Sequence, residues 1–139
     1  MLIQLTYASR TTGNLGPADI KDILAASQRN NARLGVTGAL CLNNGIFLQQ
    51  LEGDREIVHA LYHRLLLASR HRDPAILDFS EIHARRFGVW SMGLLSSTED
   101  NRNLFLKYSS SASFDPYGMS TATLRSFFDE VLGNVRWIG

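Results

Sequence analysis

Apolar residues along this chain alternate in some stretches and recur at helical spacing in others, in the order strand, helix, strand, strand, helix, strand, strand. Residues 2 to 7 place Ile3, Leu5 and Tyr7 on one face and Leu2, Gln4 and Thr6 on the other, which predicts a first strand ending at the tyrosine. Thr12-Gly13-Asn14-Leu15-Gly16-Pro17 then turns the chain into a helix, with Pro17 suited to the first helical position and Asp19 to the positive end of the dipole. Ile20, Ile23 and Leu24 form its inward stripe, which continues through Ser27 to Asn30 and Asn31. Asn31 then has two readings. It caps the helix, since asparagine tolerates the left-handed conformation that ends many helices, or it reaches toward something bound.

Val36 to Leu42 and Ile46 to Leu51 read as strands joined by Asn43-Asn44-Gly45, whose Asn-Gly step signals a hairpin. Asp54 is placed to cap a second helix running to about Ala68, with Val58, Leu61, Leu65 and Ala68 on its buried stripe. A fourth strand is predicted from Ala75 to about Arg86 and a fifth from Ser91 to Ser96, where Trp90, Met92 and Leu94 share parity. Each helix follows a strand and returns to the sheet, so both cover one face. The expectation is an α+β, ferredoxin-like β-α-β-β-α-β-β sheet. Residues 98–139 add a helix around Glu99 to Tyr108, a serine-rich loop, and a helix from about Ser120 to Leu132 striped by Leu124, Phe127, Phe128, Val131 and Leu132. That stripe needs a partner, and the open sheet face supplies one. The chain is therefore expected to form one domain, with a core over 1–97 and a C-terminal helical cap on the other face.

The run Phe47-Leu48-Gln49-Gln50-Leu51-Glu52-Gly53 carries two uncharged amides inside an apolar strand. Burying either without a hydrogen-bond partner costs about 1 to 3 kcal/mol. Parity sets Gln49 beside Phe47 and Leu51, and Gln50 beside Ile46 and Leu48, so both faces look apolar and either amide can be the inward one.

Composition narrows the function classes. Fourteen basic and thirteen acidic residues give a net charge of +1 without a clustered basic face, so neither a nucleic acid duplex nor an anionic membrane is indicated. Leu2, Gln4 and Thr6 also offer no aromatic platform of the kind RNA-binding ferredoxin-like sheets use. No apolar stretch approaches the ~18 residues of a membrane helix. The single cysteine, Cys41, excludes an internal disulfide and fits a reducing compartment, so the cytoplasm is expected. His59 and His63 stand four apart on a helix without a third ligand at matching spacing, and no metal is expected. Phosphate-loop, dinucleotide and nucleophile-elbow signatures are absent from the sequence. What remains is a polar cluster of Tyr7, Asn30, Asn31 and one glutamine, with Trp90 and Met92 approaching from the last strand. Such a set suits a flat heteroaromatic ring sandwiched by apolar helix faces and read along its edge by amides.

The residues that carry this cluster also resemble a known family. Leu5-Thr6-Tyr7-Ala8-Ser9, Ser27-Gln28-Arg29-Asn30-Asn31, Gly35-Val36-Thr37-Gly38, the central run, Arg70-His71 and Trp90-Ser91-Met92-Gly93 follow one another as in a BLUF domain, the blue-light sensors that use flavin. The resemblance covers residues 1 to 97. It makes Gln49 the family glutamine and implies a bound flavin, FAD first, with FMN or riboflavin as alternatives. It implies that Tyr7, Ser27, Asn30, Asn31, Gln49 and Met92 hold the flavin, with Arg64, Arg70 and His71 at its tail or the pocket rim. It further implies that Tyr7 gives up an electron and then a proton under blue light, that Gln49 relays it by rotating or changing tautomer, and that Trp90 and Met92 carry the signal. Ala68 departs from the pattern, because many relatives carry an aspartate there. Leu106-Lys107-Tyr108-Ser109 resembles short-type members with two cap helices and no fused enzyme, so the output is expected through a separate effector protein and the chain is not expected to be an enzyme. The competing reading is a flavin-dependent oxidoreductase working in the dark. Self-association is expected from a tail exposing Phe127, Phe128 and Trp137.

Overall fold

Leu5 and Tyr7 on β1 (Leu2–Thr11) stand directly across an antiparallel ladder from Leu51 and Gln49 on β3 (Ile46–Asp54), and this pair of strands is the spine of the structure. The computed structural model describes residues 1–13, 15–68, 71–88, 92–96 and 102–134. Around the spine lie α1 (Pro17–Leu34), β2 (Thr37–Asn43), α2 (Arg55–Leu66), β4 (His71–Glu81), β5 (Gly93–Ser96), α3 (Arg102–Lys107) and α4 (Thr121–Asn134). The sheet order is β4-β1-β3-β2-β5, antiparallel except for the parallel pair β2 and β5. This is the ferredoxin-like arrangement with an added fifth strand, as the alternation predicts.

Strand parity sorts the core into two layers. Ile3, Leu5, Tyr7, Leu40, Phe47, Leu51 and Leu94 pack beneath α1 and α2 with Leu24, Val58 and Leu61. Ala8, Ala39, Cys41, Leu48 and Leu95 face the other way and are covered by Phe105, Phe114, Leu124, Phe127, Phe128 and Val131 of the C-terminal segment. The cap thus lies on the sheet face that the first two helices leave open. Phe127 and Phe128 are 0% exposed, so they belong to this inner layer. Each contributes about 1.5 to 3 kcal/mol of burial there. This corrects the expectation that they form an exposed surface for self-association; Trp137 lies outside the described residues.

Several boundaries move for identifiable reasons. Helix α1 runs past Asn31 to Leu34 and ends at Gly35, which adopts the left-handed conformation at φ 69°. The Gly35 and Val36 N–H groups then close the helix end on Ala32 and Asn31 carbonyls. Asn31 is therefore not the cap. Strand β1 extends to Thr11 because β4 pairs with it that far. Strand β4 spans His71–Glu81 where Ala75 to Arg86 was expected. Pro74 is tolerated because β4 is an edge strand, and the pairing breaks register between Ala8 and Arg10 beside Asp73, whose φ is +51°. Residues 82–88 are instead a crossover from one sheet edge toward the other. Helix α2 stops at Leu66, and the predicted fifth strand begins only at Gly93. Helix α3 begins at Arg102, and residues 97–101, which include the predicted start at Glu99, lie outside the described residues.

Gly38 shows how tightly β2 lies on the spine. A Cβ at this position would meet the Gln50 carbonyl oxygen at 2.2 Å, so no larger residue fits without moving the strand.

Candidate functional site

Alternation on β3 sends its two amides to opposite layers. Gln49 faces the helices, opposite Tyr7 on one side and Leu40 on the other. Gln50 lies between Thr6 and Ala39 and faces the cap. The Tyr7 hydroxyl donates to Gln49 Oε1, and Gln49 Nε2 is 3.6 Å from Met92 Sδ. On the other face, Gln50 Oε1 is buried without a hydrogen-bond partner among the described residues.

Burial shapes the electrostatics of this pair. Tyr7 is 1% exposed, and loss of water raises its phenol well above the ordinary tyrosine value, with the neighbouring Tyr62 adding to the shift. The two rings meet edge to face with centroids 5.1 Å apart. Tyr7 is thus a neutral hydroxyl that donates to Gln49 Oε1.

Helix α1 brings further amides to the same layer. Asn31 is 2% exposed, whereas its neighbour Asn30 points to solvent. Gln28, one turn earlier, donates to the Met92 carbonyl at 3.1 Å. Ser27 is half-buried on the same helix. Met92 is therefore gripped at its carbonyl by α1 and at its sulfur by β3. His71 opens β4, where its Nδ1 lies 2.7 Å from Ser9 Oγ and its ring tilts against Phe47 at 4.9 Å. Arg64 is exposed on α2, and His59 and His63 are exposed as well. Among the described residues no group of three or more potential ligands could hold a metal ion. Arg70 and Trp90 lie outside the described residues.

The periodicity of α1 held a signal for Gln28, which sits three residues before Asn31 on the inward stripe. Glu52 and Arg85 had none. Glu52 is 0% exposed and accepts hydrogen bonds from Gln4 Nε2, Thr37 Oγ1 and the main-chain N–H groups of Arg86 and Phe87. Arg85 reaches back to the Glu52 and Gly35 carbonyls. No spacing in sequence announces a carboxylate whose partners are backbone groups 34 and 35 residues away.

The helix-facing layer suits a flat ring. Leu24, Leu40, Phe47, Tyr62 and Leu65 make the layer beneath α1 and α2 apolar. The buried amides of Asn31 and Gln49 supply donors and acceptors of the kind that alternate along the edge of an isoalloxazine ring.

Comparison with known proteins agrees with this geometry. Residues 2–93 match the family model BLUF, described as sensors of blue-light using FAD. The chain is 34% identical over 100 residues to photoactivated adenylate cyclase subunit beta of Euglena longa, which covers 71% of this chain and 11% of that protein. It is 33% identical over 94 residues to the blue light- and temperature-regulated antirepressor BluF of Escherichia coli (strain K12), covering 68% of this chain and 23% of that one. Among solved structures, BlsA in its photo-activated state superposes with a TM-score of 0.87 at 27% identity, covering 98% of both chains. The chain thus spans a small fraction of the curated relatives it matches.

The chain belongs to the BLUF family, the flavin-binding sensors of blue light. Its domain is a sensor module, and the family description favours light sensing over dark oxidoreductase chemistry. Among the described residues no helix is long and apolar enough to cross a membrane.

Proposed function

We propose that Tyr7 and Gln49 are the photochemical pair of this sensor and that the state of the Gln49 amide is its signal. The observation that carries the reading is the hydrogen bond from the Tyr7 hydroxyl to Gln49 Oε1, with both residues buried. A bound flavin supplies blue-light absorption and an excited state able to accept an electron. Tyr7 is the source of that electron and, at Oη, of a proton. Its phenol is held neutral by burial, so the proton leaves only along the hydrogen bond to Gln49. Gln49 Oε1 would receive it while Gln49 Nε2 gives a proton up toward the ring that took the electron, so the amide, rotated or as its imidic tautomer, would present a different group there without moving the backbone. Asn31 holds the ring edge, with Ser27 beside it on α1. His71 stands at the rim, where Arg64 and Arg70 are placed by sequence to meet the flavin tail, and Asn30 contributes from the outer side of the helix.

The flavin is FAD on this reading, in keeping with the family's description. Output passes to a separate protein, in keeping with the likeness to BlsA over nearly the whole of both chains and to an antirepressor. The buried free thiol of Cys41 suits a reducing, cytoplasmic setting.

The test is the absorption spectrum before and after blue light. A small red shift that reverts in darkness supports sensing. Bleaching that needs a reductant and proceeds with turnover supports an oxidoreductase instead.

A further inference from the structure

Met92, the residue just before β5, reaches Gln49 within the helix-facing layer. The strand it leads into, β5, pairs with β2, yet the chain arrives there from β4 at the opposite edge, through the crossover that follows Glu81. Such a long connection needs an anchor if Met92 is to sit within 3.6 Å of the Gln49 amide. That anchor is Glu52, three residues beyond Gln49 on the same strand.

Each Glu52 oxygen accepts two hydrogen bonds. Oε1 takes Thr37 Oγ1 and Phe87 N, both at 3.0 Å. Oε2 takes Arg86 N at 2.7 Å and Gln4 Nε2 at 3.3 Å. Arg85 tightens the joint from outside, binding Thr37 Oγ1 at 3.0 Å, the Glu52 carbonyl at 3.2 Å and the Gly35 carbonyl at 2.7 Å. Gly35 ends α1, the helix that carries Asn31 and Gln28. Phe87 is buried against the cap, and Arg86 forms an ion pair with Asp129 on α4. One buried carboxylate therefore links the central strand, the start of β2 and the crossover, and through their neighbours the end of α1 and the cap.

We propose that Glu52 is a positioning residue for the photocycle: it fixes the crossover so that Met92 is presented to Gln49, and so sets how long the switched amide persists. This rests on the blue-light reading of Tyr7 and Gln49. The chemistry explains why a carboxylate is required. Four donors converge on it, and a glutamine in its place offers one acceptor oxygen while turning an N–H₂ group toward at least one of them.

The test compares Glu52→Gln with the parent protein, alone and in a Met92→Leu background. With flavin bound, Glu52→Gln is expected to keep the red shift but to return to the dark state at least fivefold faster. In the Met92→Leu background the same substitution is expected to change the recovery rate less than twofold, because the two act through one contact. A second readout needs no flavin: in the flavin-free protein, amide exchange across residues 92–95 should quicken about tenfold, while exchange in β1 and β3 stays as it was. Thr37→Val removes one donor and serves if Glu52→Gln does not fold; it should shift both readouts the same way, at least twofold. Unchanged recovery and unchanged exchange, or equal effects with and without Met92, would overturn the proposal and leave Glu52 a structural residue that moves only the melting temperature. Loss of the red shift from the parent protein itself would instead overturn the photochemical reading, with the exchange measurement still deciding the role of Glu52.

Discussion

Tyr7 and Gln49 face each other directly across the β1–β3 ladder, and the phenol donates its hydrogen bond to the amide oxygen within the layer that α1 and α2 cover. The next residue along β3, Gln50, makes no such bond at its oxygen and faces the cap. Two chemically identical side chains thus occupy opposite sides of one strand, one with its oxygen bonded and one, among the described residues, with its oxygen unpartnered.

The unpartnered oxygen predicts a stability effect. Gln50→Leu removes a buried acceptor that has already lost its water, so the substitution should be neutral or stabilising by up to about 1 kcal/mol. Urea unfolding of the two proteins measures this. A loss of more than 1 kcal/mol would show that the Gln50 amide contributes to packing against the cap.

Asn31 and Asn30 should separate in flavin binding. Asn31 is buried and Gly35 closes the helix, so Asn31→Ala is expected to lower flavin affinity about tenfold, near 1.4 kcal/mol, while the flavin-free protein melts normally. Asn30→Ala, on the exposed side, should cost less than threefold. Equal flavin content in the parent and Asn31→Ala would contradict this.

Much of this contrast was legible in the chain. Alternation on the first strand brought Tyr7 inward, and the hairpin at Asn43-Asn44-Gly45 paired β2 with β3, so the amides had to divide between two faces. Physics alone left open which amide met the tyrosine, because Phe47 and Leu48 are equally apolar. The end of α1 is hidden by Asn31, which in sequence reads as either a cap or a ligand, whereas the true stop, Gly35, lies four residues on. The fourth strand was shifted because Pro74 and the irregular Asp73 look like a boundary, whereas an edge strand absorbs both. Glu52 was invisible for a different reason. A carboxylate near a strand end reads as a solvated charge, and nothing local reveals that a crossover will fold its N–H groups onto it.

Burial of Tyr7 and Cys41 fixes the sign of an alkaline pH dependence. Both groups are held protonated in the folded state above their ordinary values, chiefly by desolvation. The unfolded chain releases these protons first, so stability is full below about pH 9 and falls as pH rises, by about 1.4 kcal/mol per unit for each group. Urea unfolding at several alkaline pH values should show a shallower fall for Cys41→Ala from about pH 9 and for Tyr7→Phe from about pH 10. Parallel curves for all three proteins would contradict the assignment.

Met92 is bonded to both Gln28 and Gln49, which makes it the nearest route from the amide to β5. Met92→Ala should keep the red shift, with an altered lifetime, yet reduce the light-dependent change in hydrogen exchange across residues 92 to 132 by at least half. Undiminished exchange differences would send the signal through the helices instead.

The most direct test of the account is the blue-light difference spectrum of four flavin-loaded proteins recorded side by side: the parent, Tyr7→Phe, Gln49→Leu and Gln50→Leu. The parent and Gln50→Leu are predicted to show the same reversible red shift, and Tyr7→Phe and Gln49→Leu to bind flavin and show none. A shift that survives Gln49→Leu and disappears in Gln50→Leu would contradict the account, because it would place the working amide on the cap face, away from Tyr7.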